Sequence, residues 1–473
     1  MNLINAEFKR KFSLSLYKNL KLKLAEMSFY KDFVNDKRGD LYPVVDRTDD
    51  ACESVCQNIY KIGKGRVERL FCRFFPYATY ELRAKIHGGA VGFAFNLPSV
   101  KSSIMISKDK ISYLCGKEEK EFSLPEYACG EFCLIVSCRP GAFDLFFEKN
   151  GKAEFFCTVD EADFMDSNLE SNFENGTVHL LAADGVDVFS AESYIDSGIS
   201  LADMRTIRYE SGEVMVENGR VYFTGSIRMQ AQAFQGVFSW VPGTCEFELC
   251  GALFYDCGDG RWCGDVAASV LYHRSEKMWY LWVCSFSHGH VLAHARFDGD
   301  PRFGVNVIDV NLMEKAPADA DISTFLGFKG DEDPDFFYDA DNDCWLMAIC
   351  RTDPATKKYR YVFFESENPF DGYKFIGKGL DGAETGGSFV KIDGEQYFIC
   401  GNDFNAVSDY RIYHKGGMVN AKFDYPDGGF RGWGTVIPVK MGSRTRYFWL
   451  TFDRHNGSSY NWSYGNLYCF EAR

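Results

Sequence analysis

The sequence predicts an all-β protein in two parts, an antiparallel β-sandwich of concanavalin-like or jelly-roll type followed by a five-bladed β-propeller. Three observations lead there. Aromatic residues reach 16%, with 43 Phe and 26 Tyr, and such side chains suit a pleated, half-buried surface. Short apolar runs broken by Gly, Asn and Asp turns dominate, where a helical protein would show 3.6-residue periodicity. One hairpin pattern then recurs five times in the C-terminal part.

A chain of 473 residues exceeds what a single core supports, so more than one domain is expected. We divide it into an N-terminal segment at 1–45 packed on the sandwich, the sandwich at 46–203 and the propeller at 204–473. In the sandwich region the runs Leu70–Phe75, Tyr80–Ile86, Val91–Leu97, Phe132–Ser137, Phe143–Phe147 and Val178–Leu181 read as strands. Gly88-Gly89, Asn150-Gly151, Asn175-Gly176 and Asp184-Gly185 supply the turns between them.

The repeat of the second region is an apolar strand, a Gly/Asp/Asn/Lys turn, an aromatic-rich strand and a polar loop. Its copies begin at Gly212, Gly264, Glu332, Ala383 and Gly432. With Glu213, Asp265, Asp333, Glu384 and Gly432 as markers the intervals are 52, 68, 51 and 48 residues, read from the numbering. That is the length of a four-stranded blade.

Charge and cysteine usage restrict partners and compartment. The net charge of −15 argues against nucleic acid and anionic membranes, both of which need basic surface. The first 45 residues carry nine Lys/Arg against five Asp/Glu and read as a solvated helix or strand capping the next domain. No apolar run there has the length of a signal-peptide core, and none later has that of a membrane span. Seventeen cysteines, odd in number and lacking any Cys-x-x-Cys, imply free thiols in a reducing cytoplasm and no zinc site. The oligomeric state is open.

In a propeller the innermost strand of each blade runs along the central channel. Its first residues, with the loops after the second strand, therefore line one mouth. The repeat alignment selects Asp265, Glu332, Asp333, Asp335 and Glu384 from strand starts. From second-strand ends it selects Arg228, His288, Arg351, Asp403, Asp453, Arg454 and His455. Trp262 and Trp433, near the same mouth, are candidates for stacking on a sugar ring. Crowded carboxylates repel, so at least one is expected to hold its proton more tightly, and glycoside hydrolysis needs one acid and one base or nucleophile.

The segment EDPDFFYD from Glu332 resembles the Asp-Pro strand opening of the five-bladed propeller glycoside hydrolases, families 43 and 32 and their relatives. The resemblance covers about 270 residues, the propeller alone. It implies three acidic residues at inner-strand starts, here Asp265 as base or nucleophile, Asp333 as the group that tunes the acid, and Glu384 as general acid. Glu384 followed by Thr385-Gly386-Gly387-Ser388 resembles the general-acid strand. This sequence departs from the pattern in that its first Asp lies in the second counted blade, followed by Val266 and not Pro.

Several of these residues have plainer readings. Asp335 is expected to bond a backbone amide or pack into a turn. Asp339, Asp341 and Asp343 mimic a calcium loop, but Cys344 replaces its glycine, so a hairpin is expected. His290 and His294 read as packing residues, with His288 kept for substrate, and the arginines either neutralise the channel or grip a sugar acid.

The expectation is a cytoplasmic, exo-acting glycosidase on short oligosaccharides, without cofactor or metal. The alternatives are a glycan-binding or protein-interaction platform, and a phosphorylase or transferase on the same fold.

Overall fold

The computed structural model describes residues 2–28, 42–46, 59–61, 66–160, 162–313, 330–352, 358–379, 384–402, 410–423, 434–453 and 465–472. They form an all-β protein, with helix confined to short pieces such as Glu170–Asn175. The chain divides into two compact units. One comprises Met1–Leu20, Ser197–Asp259 and Cys263–Arg473, and the other Lys21–Asp196 with Gly260–Trp262.

The smaller unit contains two seven-stranded antiparallel sheets. One is centred on Thr79–Ile86 and Val186–Asp196, the other on Val91–Asn96 and Thr177–Ala183. Strict alternation along Thr177–Ala183, where every second residue is buried, gives this strand one interior face. Aromatic rings from the two sheets meet between them: Phe95 and Phe143 lie 4.8 Å apart and Tyr80 and Phe95 5.3 Å apart. Phe164 closes on Phe143 at 4.2 Å.

The larger unit contains five sheets, here I to V. Their first strands are Ser200–Thr206, Val266–His273, Asp331–Asp339, Glu384–Ile392 and Thr435–Met441. Each pairs antiparallel with the next strand in its own sheet, and each touches the first strands of the neighbouring sheets, including I against V, so the series closes on itself. Sheets II to V begin where the repeat places them. Sheet I does not. The segment Val216–Glu217, taken as its opening hairpin, is a two-residue edge, and the true first strand lies upstream at Ser200–Thr206. The unit boundary therefore falls at Asp196/Ser197, and the sequence boundary at 203/204 cuts through a strand.

The N-terminal segment also differs from expectation. Glu7–Leu14 pairs with Leu467–Ala472 as the outer strand of sheet V, and Lys21–Ser28 joins a sheet of the smaller unit. The cause is visible in the residues. Phe8 is 1% exposed and meets Trp449 edge to face at 5.1 Å, while Lys11 pairs with Glu471 at 2.8 Å. The basic charges at the start thus complement the last strand. Arg446 and Lys11 hold the Glu471 carboxyl down at about 2.

Truncation of Phe8 would leave a void beside Trp449. Phe8→Ala is expected to cost about 3 to 5 kcal/mol in denaturant unfolding. The exposed Phe189→Ala should cost less than about 0.5 kcal/mol.

Candidate active site

The first strands of sheets I to IV share a bulge at one level. Register shifts fall between Ala202 and Arg205, Val266 and Ser269, Glu332 and Asp335, and Thr385 and Ser388. The bulged residue has a left-handed backbone each time: Asp203 at φ 50°, Ala267 at 61°, Asp333 at 49° and Gly386 at 59°. Non-glycine residues there cost on the order of 1 kcal/mol each, so the surrounding sheets must impose the geometry. Asp203 and Asp333 thereby occupy equivalent positions in sheets I and III.

Asp203 is the functional candidate that the sequence reading missed. It is 2% exposed and pairs with Arg228, whose Nη2 lies 3.1 Å from Oδ2. Burial pushes its carboxyl up to about 6, with the Asp333 charge adding to the rise and Arg228 and Arg205 opposing it. A detectable signal existed, since Asp203-Met204-Arg205 and Asp333-Pro334-Asp335 both place charges two residues apart.

Asp333 and Glu384 are brought together as expected. Asp333 Oδ2 accepts from Thr385 Oγ1 and the Gly386 amide, both at 3.2 Å, which ties it to the strand that Glu384 opens. Arg205 Nη2 donates to the Asp333 carbonyl at 3.1 Å. Glu384, fully buried, accepts from the Tyr361 amide at 3.0 Å and from the Tyr413 hydroxyl, with Arg411 Nη1 at 3.8 Å.

Asp265 finds its partners within sheet II. It lies two residues ahead of the bulge, where Ala267 fills the place held by Asp203 and Asp333. Its oxygens accept from Ser285 Oγ at 2.6 Å and the Ser287 amide at 3.0 Å, both in sheet II or its loop, and burial raises its carboxyl. Glu332 is also raised by burial and lies 2.8 Å from His290 Nε2. Asp335 does bond a backbone amide, that of Phe389 at 2.6 Å, and it pairs with Arg208 beneath the bulges.

The other named residues separate into three groups. Arg228 pairs with Asp203, and Arg351 clamps Asp331 through Nε at 2.7 Å and Nη2 at 3.0 Å. His288 has both nitrogens occupied, Nδ1 by Ser285 Oγ at 3.0 Å and Nε2 by Asp259 at 3.3 Å. Trp262 is a correction: it belongs to the smaller unit, 7% exposed and 4.3 Å from Phe173, with its carbonyl accepting from Asn168. A ring buried in that core cannot stack on a sugar. Asp403, Trp433, Arg454 and His455 lie outside the described residues. Among the described residues no group of three or more His, Cys, Asp or Glu is arranged to hold a metal ion.

No family model and no curated protein matches the chain. Solved structures similar to it include a thermostable family-43 glycoside hydrolase, 13% identical, covering 58% of this chain and 88% of that one at a TM-score of 0.38. The α-L-arabinofuranosidase of Podospora anserina in complex with cellotriose is 12% identical, covering 59% and 92% at a TM-score of 0.39. The galectin LEC-6 of Caenorhabditis elegans is 16% identical, covering 29% and 96% at a TM-score of 0.21.

A carboxyl raised by folding is stabilised in its protonated form, so its contribution is complete below the unfolded value near 4 and is lost as pH rises through about 6. Asp203→Asn should therefore unfold at a higher temperature than the wild type at pH 7.5, by up to about 3 kcal/mol. The gain should vanish near pH 4.5 in a melting series.

Proposed function

We propose that the ring of five sheets is a five-bladed β-propeller carrying a glycosidase site, and that the smaller unit is a β-sandwich. The observation that carries this reading is the linkage of Asp203, Asp333 and Glu384 from sheets I, III and IV. Asp333 bonds the strand just after Glu384, and its charge helps raise Asp203. Glu384 protonates the glycosidic oxygen. Asp203 takes the role of base or nucleophile that the sequence reading gave to Asp265. Asp333 orients the strand that carries the acid, so that an acid and a base stand on linked strands, the pair of groups that bond cleavage requires.

Exo action on short oligosaccharides is supported by the buried Arg208–Asp335 pair, which links the first strands beneath the bulges and favours a site entered from one side. A reducing compartment is supported by fifteen free cysteines among the described residues. Arg228, Arg351 and Arg411 already face carboxylates, which weighs against a phosphorylase that needs them for phosphate.

The test is release of 4-nitrophenol from a panel of aryl arabinofuranoside, xyloside, galactoside and fucoside. Asp203→Asn should lose about 10²- to 10⁴-fold in kcat, and Glu384→Gln less, because nitrophenol leaves without much protonation. An Asp203→Asn variant as active as the wild type would overturn the assignment of the base. Since the base must be ionised, wild-type kcat/KM should rise with pH through about 6.

A further inference from the structure

At the end of the ring where the first strands begin lies a turn that the reaction above does not use. Ser285–His290 connects the second and third strands of sheet II, at the end where the first strands begin, since Val266 pairs with Cys284. It is built rigidly. The His290 amide donates to the Ser285 carbonyl at 2.9 Å, and His290 has a left-handed φ of 67°. Asp265 ties the turn down through Ser285 and Ser287, and His288 braces Ser285 from the other side.

So fixed, the turn presents Phe286, 46% exposed, with the His290 ring behind it at 4.5 Å. His290 in turn reaches Glu332, the neighbour of Asp333 in sequence. An exposed aromatic face, an imidazole and a carboxylate thus stand together, the carboxylate one residue from Asp333 in the chain. A large ring held exposed on a braced turn, with polar groups behind it, offers one apolar face to a ligand. The apolar C–H face of a sugar ring fits the aromatic, and its hydroxyls fit the pair behind it, the carboxylate accepting and the imidazole donating or accepting. An anionic sugar would be repelled by Glu332 and Asp333.

We propose that Phe286, His290 and Glu332 form a subsite for a neutral sugar ring, and that Asp265 is the positioning residue of the turn that carries it. The glycosidase reading supplies the ligand class, and the experiment separates the two. In a Glu384→Gln background, xylotriose, cellotriose and arabinotriose are titrated calorimetrically. The best binder should bind about fivefold or more weakly when Phe286→Ala is added, a loss of the size expected for one stacked ring. Phe286→Tyr should restore it. In otherwise wild-type enzyme Asp265→Asn should raise KM while kcat stays within about threefold, a split that general loss of structure would not give.

Unchanged binding by Phe286→Ala, or no binding of any of the three sugars, overturns the subsite. Wild-type hydrolysis of aryl glycosides alongside that result leaves the glycosidase standing. Binding that depends on Phe286 with no hydrolysis by the wild type keeps the subsite and overturns the glycosidase.

Discussion

The ring depends on one buried ion pair. Arg208 follows the first strand of sheet I, and its guanidinium meets Asp335 of sheet III, the Phe336 carbonyl at 3.2 Å and the Phe389 carbonyl of sheet IV at 2.8 Å. Asp335 also takes the hydroxyl of Ser269 from sheet II and the amide of Phe389. Sheets II, III and IV are thus registered through two side chains exposed by 3% or less, Arg208 itself pairing with Leu271 at the edge of sheet II. Such a pair contributes little net stability compared with an apolar plug, yet removal of either partner strands a charge in the interior. Its value is in fixing which residue of each first strand faces which.

That registration holds the layer above it. The bulges at Asp203, Ala267 and Asp333 are unfavourable for residues with a Cβ, and they persist because the strands on either side are pinned. A regular strand would alternate its side chains. A bulge re-aims one of them, and here it sets Asp203 and Asp333 close enough for the charge of one to act on the other. The raised carboxyl of Asp203 is first the result of its burial, to which the charge brought near by the bulge adds.

Much of this was legible in the sequence, and the exceptions have physical causes. Sheets II to V open with a strand and a tight hairpin, so Asp333 and Glu384 could be located from spacing alone. In sheet I the first strand ends at Thr206 and its partner begins only at Arg220, so no hairpin marks the pairing. The Asn218-Gly219 turn drew the eye to Val216–Glu217, which is a small edge. Asp203 therefore fell at the end of the preceding domain and outside the candidates, and the base or nucleophile role went to Asp265. Trp262 misled for another reason: three residues of a loop in sequence among the ring strands belong to the core of the other unit, a long-range placement that local pattern does not encode. The outer strand of sheet V was hidden in the same way, because strand pairing across the length of the chain leaves no local trace.

That last pairing governs how the molecule is made. Lys11 and Glu471 face each other across 460 positions of sequence, so Glu7–Leu14 is made long before the strand it pairs with. Until then sheet V lacks its outer strand, and the amide edge of Leu467–Ala472 is open to any extended peptide. Closing so long a loop is slow and comes late. The protein's vulnerable interval is therefore the time between the emergence of Leu467–Ala472 and the docking of one eight-residue strand.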